Sequence, residues 1–164
     1  MTTLHERSGA SLKLAEALQE RADLNRSIDE LRRRLGNALL VQEGEEPPEN
    51  PQELLKELEA ALERLEYLMA AINLTNCKTR ANGLTLTELI AKKDALRLKA
   101  SAYKDMVFTA GQNTSRARGT EIRVRAVLKA SDLQKIVDSA AKEARELDNL
   151  LQETNWKTKL IEKA

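Results

Sequence analysis

The chain has 164 residues with 27 basic and 26 acidic side chains, so no global field draws it to nucleic acid or an anionic membrane, and either partner would need a local patch. That length suits one domain around one modest core. Hydrophobic residues make up 41% and charged residues 32%, but aromatics only 2%, which leaves Leu, Ala, Ile and Val to build the core of long amphipathic helices.

Residues 1–10 read as a mobile tail without the apolar run of a signal peptide. A first helix is predicted over roughly 11–35, where Leu14, Ala17, Leu24, Ile28, Leu31, Leu35 and Ala38 fall at alternating steps of three and four, with Arg21 as the exception. Gly36 offers it a left-handed cap. "NALLVQEG" reads as a strand over roughly 38–43, and "EEPPENP" as an extended acidic linker.

Asn50 as a cap, Pro51 in the first turn and Glu53 three residues after the cap start a second helix, roughly 51–79. Its stripe is Leu55, Leu58, Leu62, Leu65, Met69 and Ile72, and it continues into polar residues, Asn73, Asn76 and Thr79. Thr85 and Glu88 form a capping box for a third helix, roughly 86–110, striped by Leu86, Leu89, Leu96, Ala100, Tyr103, Val107 and Ala110 and interrupted by Lys93.

After the polar loop "GQNTSRARGT", Ile122, Val124, Ala126 and Leu128 alternate with Arg123, Arg125 and Val127, which predicts a half-buried strand over roughly 121–128 that pairs with the first. The last helix, roughly 132–160, starts at the cap pair Ser131 and Gln134, carries Leu133, Val137, Ala140, Ala144, Leu147 and Leu151 on one stripe, and turns polar at Thr154, Asn155 and Thr158. The fold class expected is mainly all-α: long antiparallel helical hairpins, a coiled-coil bundle, with a small two-stranded β ribbon.

"LAEALQERADLNRSIDELRRRL", "NALLVQEGE", "INLTNCKTRANGLTLTELIAKKDALR" and "LDNLLQETNWKTKLIE" resemble the septicolysin-like family of small bacterial helical proteins, over nearly the whole chain from Leu12 to Ile161. The resemblance implies a membrane-damaging activity and carries no catalytic residue with it. A pore-former needs segments that satisfy their backbone in lipid, and "EIRVRAVLKA" is the one candidate for a membrane strand.

Catalytic signatures are missing from the residues. His5 is the single histidine and Cys77 the single cysteine, so neither an internal disulfide nor a histidine-rich metal site is expected, and no phosphate-cradling glycine loop or nucleophile elbow occurs. No cofactor and no small-molecule substrate are expected. With no apolar run long enough to span a bilayer, the expected place is the cytoplasm.

Two groups of residues are singled out. Asn73, Asn76 and Thr79 on the second helix and Thr154, Asn155 and Thr158 on the last would meet under antiparallel packing and could form a buried polar layer that fixes register, since a slipped pairing leaves an amide unsatisfied. Solvated helix ends and a polar ligand pocket are the alternatives. Arg116, Arg118, Arg123, Arg125 and Lys129 form a basic segment that could grip phosphates or anions, although it has no aromatic platform for bases. Pairing with the acidic "EGEEPPE" of another helix or subunit is preferred. The function expected is thus a non-catalytic, homo-oligomeric structural or interaction protein, with nucleic-acid binding and membrane activity as competing classes.

Overall fold

The structure, a computed structural model, describes residues 12–112 and 125–162. Four long helices carry the fold: α1 Leu14–Ala38, α2 Pro51–Lys78, α3 Leu86–Gly111 and α4 Ala130–Lys157. A two-stranded antiparallel ribbon, β1 Arg80–Ala81 and β2 Leu84–Thr85, joins α2 to α3. The mainly all-α class follows from the sequence periodicity, but the ribbon is not the expected one.

The ribbon arises from Asn82-Gly83, whose φ angles of 50° and 82° are both positive. A two-residue turn of that hand matches the twist of the flanking strands, and Asn-Gly is the pair that adopts it at least cost. Register pairs Arg80 with Thr85 and Ala81 with Leu84. The predicted strand at 38–43 is absent: α1 continues through Gly36 to Ala38, Leu39 caps it in the right-handed region, and residues 40–43 form no ladder. The predicted strand at 121–128 lies partly outside the described residues, and its part from Arg125 onward is irregular chain with a bend leading into α4.

The chain divides into two compact units, one of residues 12–79 and 154–162 and one of residues 80–112 and 125–153. Neither boundary is marked by a linker composition, and the second falls inside α4. In the first unit α1 and α2 pack as an antiparallel hairpin, with Leu31, Leu35, Ala38 and Leu54 in one buried cluster and Leu58 against it. Arg34 grips Glu49 near the hairpin tip, and Arg64 Nε donates to Glu20 Oε1 at 2.7 Å further along.

The α1 stripe is buried or half-buried throughout, Arg21 included. On α2 the buried positions are Leu54, Leu68, Ala71, Ile72 and Thr75. Leu55, Leu62 and Met69, which the periodicity places in the core, are 44%, 46% and 48% exposed.

In the second unit α3 and α4 are antiparallel. Lys92 Nζ lies 2.7 Å from Glu143, and Asp148 receives both Lys93 at 3.1 Å and Arg97 at 3.4 Å. The exception in the α3 stripe, Lys93, therefore stays in the packed face by meeting an acid from the opposite helix. Leu133, Ala140, Ala144 and Leu151 form the buried edge of α4. Thr85 starts α3 as a full capping box: its hydroxyl accepts from Glu88 N–H at 3.2 Å, while Glu88 Oε2 accepts from Thr85 N–H at 2.7 Å.

Candidate functional site

Two places gather side chains that the helical frame alone does not account for: a polar junction in the first unit and an open groove in the second.

The junction joins three stretches. The chain leaving α4 runs antiparallel to the start of α1: Leu14 N–H donates to Thr158 O at 2.9 Å and Leu160 N–H donates to Leu12 O at 2.7 Å, with a bridge between Lys13 and Lys159. The third stretch is α2, through Thr75. This residue is completely buried. Its Oγ1 donates to Ala71 O at 2.7 Å, one turn back, and accepts from Ile161 N–H at 2.9 Å. Both capacities of the hydroxyl are used, so a polar group can sit in the core without a desolvation penalty left open.

Of the six residues expected as a buried polar layer, all fall within this unit, but none is buried. Asn73 is exposed, and Asn76, Thr79, Thr154, Asn155 and Thr158 are half-buried. At the helix ends Thr158 N–H donates to Thr154 O and Thr79 N–H to Thr75 O. The buried polar residue is Thr75, one position before Asn76. Its sequence signal is the column Leu54, Ala61, Leu68 and Thr75, spaced by seven on the same helix.

Charged groups flank the junction. Arg64, bound to Glu20, lies 5.2 Å over the Tyr67 ring. Burial raises the Tyr67 phenol above its ordinary range, and the adjacent Glu162 carboxylate, to which the hydroxyl donates, adds to the effect. The Arg64–Glu20 pair and the Tyr67–Glu162 pair link α2 to α1 and to the chain after α4. As an arrangement this can hold the segment after α4 in place; among the described residues it sets no acid beside a base in a cavity.

The groove lies between α3 and the start of α4, with a volume of about 610 Å³. Ala102, Met106, Ala110 and Leu133 line its apolar part, Val127 and Leu128 its lip, and Asp105 and Arg125 its polar edge. Val127 is 87% exposed and Leu128 61%. Of the basic segment, Arg125 and Lys129 are described and exposed. Arg116, Arg118 and Arg123 lie outside the described residues. His5 also lies outside them, and Cys77 is exposed on the last turn of α2.

No group of three or more His, Cys, Asp or Glu among the described residues is placed to hold a metal ion. No described helix is long and apolar enough to cross a membrane.

The fold is shared with a solved structure described as that of a functionally unknown conserved protein from Corynebacterium diphtheriae. It is 38% identical, with a TM-score of 0.85, over 93% of this chain and 100% of that one. Among curated proteins none matches the chain significantly. The resemblance to the septicolysin-like family is overturned, because the family whose sequence model matches is a different one, and the membrane-damaging activity loses the resemblance that implied it. That match spans residues 21–160, so the chain belongs to the Family of unknown function (DUF6847).

Proposed function

We propose that the protein is a non-catalytic interaction module of the cytoplasm that works as a homo-oligomer. The observation that carries the reading is the placement of large apolar side chains at the surface in groups: Leu39, Leu40 and Val41 after α1, and Val127 and Leu128 before α4. Isolated exposed leucines are ordinary, but grouped ones mark interaction sites. Glu20, Glu49, Glu143 and Asp148 are each bound to a Lys or Arg of another element. Such pairing uses them for packing rather than for proton transfer. A single exposed cysteine suits a reducing compartment.

Light scattering coupled to size exclusion tests the assembly, with a mass of two or more chains expected at micromolar concentration. A monomer mass would overturn the reading. Nucleic acid that co-purifies and is lost on combined Arg125→Ala and Lys129→Ala substitution would replace it with nucleic-acid binding through the basic segment.

A further inference from the structure

Between α1 and α2 the chain makes a tip that breaks the usual composition of an exposed loop. Leu39, Leu40 and Val41 are consecutive and 63%, 87% and 46% exposed. A run of three apolar residues in water is a liability unless something covers it. Glu43, Glu45 and Glu46 follow, all exposed, and none has an ion-pair partner among the described residues. The tip is thus an apolar point backed by unpaired negative charge.

The groove between α3 and α4 has the opposite character. Its apolar wall and its lip of Val127 and Leu128 are open, and Arg125 lies on its edge with Lys129 just beyond the lip. Neither cation has an ion-pair partner among the described residues; Asp105 balances Arg125 within the lining, and Lys129 beyond the lip supplies the positive excess. The volume, about 610 Å³, falls in the range of sites that enclose a ligand of several side chains' size.

We propose that the tip of one copy, Leu39-Leu40-Val41, docks into the α3–α4 groove of a second copy, with Glu43, Glu45 and Glu46 facing Arg125 and Lys129. The inference rests on the self-assembly reading above and names its interface. It joins unlike surfaces, so the assembly closes when a symmetry axis lets each copy give its tip and receive another's. Apolar burial supplies the attraction, and the charge pairing supplies orientation and salt dependence.

Cross-linking between separately purified chains tests it. In a Cys77→Ser background, one chain carries Leu40→Cys and the other Val127→Cys. Mixed and oxidised, they should give a disulfide-linked pair at least ten-fold more abundant than the mixture of Leu40→Cys with Leu62→Cys on the exposed side of α2. In parallel, Leu40→Glu and Val127→Glu should each weaken self-association at least ten-fold by light scattering while helical circular dichroism is kept. Addition of 0.5 M salt should weaken the unmodified protein several-fold.

If the unmodified protein is oligomeric but neither glutamate variant shifts its mass and the cross-link does not exceed the control, the tip-in-groove contact is wrong and the assembly reading survives. A monomeric unmodified protein removes both.

Discussion

Ile161 N–H donates to Thr75 Oγ1 at 2.9 Å, across 86 residues of chain. The hydroxyl is completely buried, so this bond ties the segment after α4 to α2, beside the backbone bonds that tie it to the start of α1. Thr75→Val keeps the shape and removes the acceptor. The expected cost is about 1–3 kcal/mol, the range for a buried donor left unsatisfied, read by urea denaturation. A change below about 0.5 kcal/mol would mean that Ile161 N–H finds water instead.

Asn76→Leu should do little. Asn76 extends the column of Leu55, Leu62 and Met69, which are 44%, 46% and 48% exposed, so a leucine there neither fills a core nor removes a buried amide. Thermal melting should shift by less than the equivalent of about 0.5 kcal/mol. Native mass spectrometry should show the same species as the unmodified protein. Thr75→Leu, one residue earlier, should instead overpack the buried face and cost about 1–3 kcal/mol.

Lys93 and Asp148 differ in what their removal leaves behind. Lys93 is 16% exposed, and Asp148→Ala strips a half-buried ammonium of its acceptor, at an expected cost of about 1.5–3 kcal/mol. Lys93→Met puts an apolar chain on an apolar stripe and should stay within about 1 kcal/mol of the unmodified protein. The Lys92–Glu143 pair, 50% and 44% exposed, should contribute less than about 1 kcal/mol by double-mutant cycle. A coupling there as large as that of Lys93 with Asp148 would contradict this ranking.

Thr85→Ala removes the cap of α3 and should cost about 0.5–2 kcal/mol. The Thr85 backbone N–H and then its hydroxyl, both donating to Glu88, hold that carboxyl below its usual range. A carboxyl so depressed adds stability above its unfolded value and loses it as pH falls through its folded value. The difference between the unmodified protein and Glu88→Gln should therefore shrink as pH falls through the acid range, followed by chemical denaturation at several pH values. A difference that grew toward acid pH would refute the assignment.

The four helices were legible because each repeats apolar residues along one face for about five turns or more, and because Pro51 and the pair Thr85 and Glu88 announce the starts of α2 and α3. Asn82-Gly83 was an equally local signal for the ribbon, since the turn needs two positive φ angles. The strand expected over 38–43 did not form: helix α1 continued through Gly36 to Ala38, where no left-handed backbone is required, and residues 40–43 have no partner strand among the described residues.

The polar layer was misplaced by one residue for a reason that pattern alone cannot remove. Around Leu58, Leu65 and Ile72, α2 carries two apolar columns, Leu54, Ala61 and Leu68 on one side and Leu55, Leu62 and Met69 on the other. Periodicity admits either as the second half of a seam.

Sequence by itself therefore determined which segments are helical and that one stripe of each is apolar, since both follow from residues within a turn or two of one another. Only the tertiary structure decided which column of α2 turns inward. The column Leu54, Ala61, Leu68 and Thr75 faces inward, with Leu54 packed in the cluster of Leu31, Leu35 and Ala38 of α1, and its polar end, Thr75, is satisfied by Ile161 N–H of the chain after α4. That partner lies too far along the chain for any local pattern to reveal it.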